Sequence, residues 1–177
     1  MKPLRIKGDC VSENLSDSEL ERLESVSGDL NLHYETRSLP NLKTVVGTVY
    51  CHHSQNVDCP ALKTIGGWLL AMDSDNFSAP VLESVEGIDA SMTSRLSLPS
   101  LQTVRGDVLA EKSDGLNVSA LVHVGGEIKC FEANNMRIPD AIAKKNDTPD
   151  SVRFITHAEK AIAEFQNNSE SLNQGIK

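Results

Sequence analysis

Apolar and polar residues alternate in short bursts along this chain, and each burst follows a glycine. The glycines at 8, 28, 47, 67, 87, 106 and 126 stand 19 or 20 residues apart, each with Ile or Val two places earlier, as in Val45-Val46-Gly47 and Val104-Arg105-Gly106. Alternation with period two marks a strand with one buried face. The inward series reads Cys10, Leu30/Leu32, Val49/Cys51, Leu69/Ala71, Ile88/Ala90, Val108/Ala110 and Ile128/Cys130, and the spacing predicts one parallel sheet built rung upon rung. A second alternating pair closes each unit: Val57/Cys59, Phe77/Ala79, Leu96/Leu98, Leu116/Val118 and Met136/Ile138. The proline after it turns the chain into Leu-x-x-Val, so three walls are expected around one narrow core.

Aligned on their glycines, the units read Pro-x-Leu-x-(Thr/Ser)-(Val/Ile)-x-Gly-x-apolar-x-small. The clearest copies are 40–59, 60–79, 80–98, 99–118 and 119–138; Leu23-Glu-Ser-Val26-Ser-Gly28 and Ile6-Lys-Gly8 are degenerate rungs upstream. A repeat this short cannot bury an apolar face alone, so the units must stack into an elongated solenoid, whose usual work is to hold a partner. Glycine suits a corner or bulge that a side chain would obstruct, and proline a bend that needs no ladder donor. In the 80–98 copy one residue is missing just after Gly87, which brings Ile88 directly inward. An aromatic content of 4% fits a core one coil wide, filled by Leu, Val, Ile and Ala.

The ends read differently. Ser16-Asp-Ser-Glu-Leu predicts a helical turn or two over 17–24. Thr148-Pro149-Asp150 supplies an N-cap, a first-turn proline and an acid, ahead of Val152, Ile155, Ala158, Ile162 and Phe165 on one face of a helix lasting to about Gln166. The expected division is a solenoid with its N-terminal cap over 1–138, a C-terminal helical cap over 139–166 and a patternless tail over 167–177.

The motif Leu-Pro-x-Leu-x-Thr-Val-x-Gly, followed by apolar alternation, resembles leucine-rich-repeat solenoids, particularly the short-repeat receptor L-domain type, over about 6–138. Similar short repeats occur in proteins of bacterial mobile elements and phages. The resemblance implies a right-handed, mainly β solenoid of about seven rungs that binds a protein through its sheet face, and an inhibitor from a phage or mobile element is one such binder. The Asn of longer leucine-rich repeats is absent after the strand, where His53, Asp73, Lys112 and Glu132 stand, so no Asn ladder is expected.

Chemistry narrows the function further. The first residues carry charges but no apolar run, and no apolar stretch is long enough to span a membrane, which points to the cytoplasm. Cys10, Cys51, Cys59 and Cys130 are expected as buried free thiols, which suits that compartment. Cys51-His52-His53 with Cys59 is the one cluster of metal-ligand types, but alternation sends Cys51 inward and His52 outward; no metal or other cofactor is expected. His33 should lie beside His52 on the adjacent rung. Neither a phosphate-binding loop nor a nucleophile elbow is present, and the reading is against an enzyme.

A net charge of −8 argues against direct nucleic-acid binding and towards a basic partner. On the outward strand positions, Tyr50, Trp68, Leu70 and Met72, with Leu109 further along, form an apolar island, and the expected contact residues are these together with His52 and the acidic rim of Asp89, Asp107 and Glu111. Clustered Trp, Tyr and Met in such a rim is the composition of a protein interaction site. Two alternatives use the same face: a structural homodimer, and an acidic mimic of nucleic acid in which Asp29, Asp89, Asp107, Glu111 and Glu127 stand in for phosphates of a nucleic-acid-binding defence protein.

Overall fold

The computed structural model describes residues 2–145. The chain is mainly β and winds through about six turns, giving one strand per turn to each of two parallel seven-stranded sheets. The first sheet stacks β1 (Leu4–Ile6), β3 (Leu23–Val26), β5 (Thr44–Val45), β7 (Thr64–Ile65), β9 (Ser84–Val85), β11 (Thr103–Val104) and β13 (His123–Val124). The second stacks β2 (Cys10–Val11), β4 (Leu30–Asn31), β6 (Val49–Tyr50), β8 (Trp68–Leu70), β10 (Gly87–Asp89), β12 (Val108–Leu109) and β14 (Ile128–Lys129).

The single expected sheet is therefore corrected to two. The Thr-Val pair ahead of each glycine is itself extended, and Thr44 pairs with Thr64, and Val45 with Ile65. These pairs are too short to show a period of two. The third wall is made of isolated bridges rather than full strands, running Ser38, Asp58, Ser78, Ser97, Asn117 and Arg137 from rung to rung.

Register explains why the apolar pattern repeats so strictly. In the second sheet Leu30, Val49, Leu69, Ile88, Val108 and Ile128 stand directly above one another. A slip by one residue would turn that whole column to solvent. The expected inward residues are buried, including Phe77 and all four cysteines; only Met136 and Ile138, on the last rung, are partly covered.

Gly47 shows what the glycine column does. Its N–H donates to Gly28 O at 2.9 Å, and a Cβ there would lie 2.7 Å from the Gly28 carbonyl carbon. Close stacking of backbone on backbone, rather than a left-handed turn, excludes the side chain. At the front, α1 (Asp17–Leu20) is started by a capping box between Ser16 and Glu19. It stops short of the expected residue 24 because Leu23 already belongs to β3, in register with Leu4. At the back, α2 (Asp140–Lys145) places Ile142 against the core. The helix anticipated from Pro149 to about Gln166, and the tail, lie outside the described residues.

Candidate binding face

The outward side of the second sheet carries three columns of side chains. The middle one runs Asn31, Tyr50, Leu70, Asp89, Leu109 and Lys129 by strand register. Trp68 stands two residues before Leu70, and His33, His52, Met72, Ser91, Glu111 and Phe131 follow two residues after the middle column. Tyr50 and Leu70 are thus direct neighbours, with Asp89 and then Leu109 beyond them. Tyr50, His52, Trp68, Leu70, Met72, Asp89, Asp107 and Leu109 are all half-buried, and Glu111 is exposed.

Trp68 owes its position to the missing residue. In the shortened rung Gly87 itself takes the outward place in register with Trp68. The indole lies over it: a Cβ on Gly87 would sit 2.6 Å from Trp68 Cε2, and one on Gly106 3.8 Å from Cζ2. The ring fills a notch two rungs wide, so part of its apolar surface is already used within the chain.

Beside it lies a set of rings that the sequence only partly announces. His33 and His52 stack at 5.1 Å with planes 15° apart, as the rung spacing predicts, and Tyr50 is 6.0 and 6.4 Å from them. Tyr34 stacks on His53 at 5.3 Å and 12°, and His53 Nδ1 is 2.9 Å from Asp73 Oδ2. Tyr34 was not among the expected site residues; the signal is its 19-residue spacing from His53. The His52 Nδ1 atom is buried without a hydrogen-bond partner. Burial, followed by neighbouring His33, holds the His52 imidazole below its usual range, against a smaller opposing pull from Asp89.

Two corners flank this region of each turn. The first follows the second sheet and holds Tyr34, His53, Asp73, Met92, Lys112 and Glu132, all left-handed with φ between 55° and 58°. Its backbone is pinned by buried hydroxyls: Ser74, Thr93 and Ser113 donate to the carbonyls of Ala71, Ala90 and Ala110. The second corner holds Asn56, Asn76, Arg95, Gly115 and Asn135, also left-handed. Asn76 Nδ2 donates to Asn56 Oδ1 at 2.6 Å, so paired asparagines do occur, at a different corner from the one considered in the sequence.

The acidic residues divide by occupation. Asp29 Oδ1 accepts the Thr48 N–H at 2.7 Å, Asp107 Oδ1 the Glu127 N–H at 2.8 Å, and Asp89 Oδ1 the Ser91 N–H at 3.0 Å. Each carboxylate spends one oxygen on the backbone, which reduces its value as a phosphate substitute. Burial raises the thiols of Cys51 and Cys10, and takes Cys59 up to about 12, with a further push from Asp58. Thiols held in that form are poor nucleophiles and poor metal ligands. Among the described residues no group of three or more His, Cys, Asp or Glu is placed to hold a metal ion, and no helix is long and apolar enough to cross a membrane.

No protein-family model matches the chain, and no match is found among curated proteins or solved structures.

Proposed function

We propose that the chain is a non-catalytic binding module that holds a protein partner against the outward face of its second sheet. The observation that carries this reading is the continuity of Tyr50 and Leu70 with the stacked rings of His33 and His52, bordered by Asp89, beyond which Leu109 and Glu111 follow. An apolar and aromatic centre with a charged margin is how protein interfaces are composed. Acidic margins favour a basic partner, and the chain's charge of −8 would repel nucleic acid directly. Leucine-rich-repeat kinship and an inhibitory role in a phage or mobile element are supported by the repeat motif alone.

The test compares wild type with Leu70→Asp on the proposed face and Thr64→Asp on the first sheet. A partner captured from host lysate by wild type and by Thr64→Asp, then purified, should bind Leu70→Asp at least about tenfold more weakly, a loss near 1.4 kcal/mol. Trp68, the sole tryptophan, reports the titration through its emission. Equal binding by Leu70→Asp would overturn the reading. Concentration-dependent sedimentation abolished by Leu70→Asp would make the partner a second copy of the chain.

A further inference from the structure

We infer that the first corner is the docking edge of this face and that it receives the arginines of a cationic protein segment, an inference that rests on the binding role proposed above. The starting point is a mismatch between what the backbone asks for and what the sequence supplies. A left-handed residue favours Gly and Asn and, less strongly, Asp and His, as at His53 and Asp73, whereas other side chains carry a conformational cost there. The second corner follows that rule at Asn56, Asn76, Gly115 and Asn135, with Arg95 the exception. At the first corner, with the same backbone, none of the six positions is Gly or Asn, and Tyr34, Met92, Lys112 and Glu132 are among the residues held there.

Those side chains return little to the fold. Tyr34 is 76% exposed and Met92 50%. The Tyr34–His53 ring pair is exposed, the His53–Asp73 pair lies at the surface, where ion pairs contribute little, and neither involves Met92. Side chains kept at a conformational cost, and pointed at solvent, are accounted for by something outside the chain. The same corner directly continues the column of His33, His52 and Met72, so it belongs to one surface with the proposed site.

The chemistry of that edge selects the occupant. The stacked rings of Tyr34/His53 and His33/His52 occupy two successive turns, Asp73 and Asp89 stand on the next two, and Glu111 and Glu132 on the two after that, beside Lys112 and Lys129. A guanidinium stacks on a ring while donating to a carboxylate in its plane, which a compact ammonium does not do as well. The edge therefore discriminates Arg from Lys as well as positive from negative.

The test uses the full chain, labelled with ¹⁵N, titrated with a Gly-Arg repeat peptide carrying four arginines and with its Gly-Lys counterpart. Amide shifts are expected at 33–34, 52–53, 72–73 and 91–92, with the Arg peptide binding more tightly. Tyr34→Gly/Met92→Gly removes both side chains while easing the backbone, so it should fold normally and bind the Arg peptide about fivefold or more weakly. Tyr34→Asn/Met92→Asn, which also tolerates the left-handed turn, should lose binding likewise, and Glu83→Gln, just ahead of β9 in the first sheet, should not. Shifts centred on Trp68, Leu70 and Leu109 alone, or equal affinity for the two peptides, would overturn the docking edge and leave the face reading standing. Shifts on the first sheet, or none at millimolar peptide, would likewise overturn the docking edge, and the face reading is then decided by the Leu70→Asp comparison.

Discussion

The two corners of each turn perform the same mechanical task with opposite chemistry. Both reverse the chain through a left-handed residue whose N–H donates to the next rung: His53 to Met72 O at the first, Asn76 to Ser94 O at the second. Immediately after it, the first corner buries a hydroxyl, Ser54, Ser74, Thr93 or Ser113, whereas the second buries an apolar side chain, Val57, Phe77, Leu96 or Leu116. One corner is thus held by polar bonds, to the carbonyl three residues back from Ser74, Thr93 and Ser113 and to Leu32 O from Ser54, and the other by the core. The second fills its outward positions with residues that suit the turn, and the first does not. A repeat can evolve its outward residues independently at each corner, provided that the inward partner keeps the backbone in place.

Removing those inward partners gives the largest effect that separates the corners. Phe77→Ala should destabilise the chain by about 3–5 kcal/mol through lost burial and the cavity left behind. Ser74→Ala should cost only about 1 kcal/mol, because the Ala71 carbonyl keeps its bond from the Ser74 N–H at 3.1 Å. Urea midpoints read both. A Ser74→Ala loss as large as that of Phe77→Ala would mean that the hydroxyl column, not the core, holds the turns.

Backbone preference gives the next effect. Gly115 has φ +84°, and a Cβ there would be in ordinary contact with Arg95 Cα at 3.5 Å, so conformation alone sets the cost. Gly115→Ala should lose about 1 kcal/mol, whereas Gly115→Asn, matching Asn56, Asn76 and Asn135, should lose far less. Equal losses in thermal unfolding would show that space rather than φ governs the second corner.

The comparison also explains what could be read from the sequence. Strands facing the core were legible because Val49, Leu69, Ile88 and Val108 recur at a fixed period, and so was the stack of His33 on His52. The first sheet was missed as a sheet because its buried residues, such as Leu42 and Val45, stand three apart, whereas in the second sheet Val49 and Cys51 carry the alternation past an equally short strand. The second corner carried a turn signal in its asparagines, while the first, spelled Tyr, His, Asp, Met, Lys, Glu, carried one only at His53 and Asp73. Its buried serines lay in what the sequence showed only as a polar stretch. Trp68 stood out by composition, yet its seat over Gly87 depended on a strand register that a single missing residue had shifted.

Acid should open the corners one at a time, and this is the smallest of the effects. The His52 imidazole is depressed below 6.5 by burial and by His33, with His53 adding to the depression and Asp89 opposing it. The unfolded chain therefore takes up that proton more readily than the folded one. The stability concerned is complete above pH 6.5 and is lost as pH falls from there towards the lower folded value. At the second corner Asp75 is depressed below 3.8 by hydrogen bonds from Ser94 and Arg95, so its contribution stays intact until pH falls to that value and is lost only below it. Between pH 7 and 5, hydrogen exchange corrected for intrinsic rates should show the amides of Tyr34 and His53 losing protection while those of Asn56 and Asn76 keep theirs. His52→Gln should remove the difference, since it leaves no imidazole to charge beside His33. Equal loss at both corners would place the acid-sensitive group elsewhere, and would mean that the turns open together through the core they share.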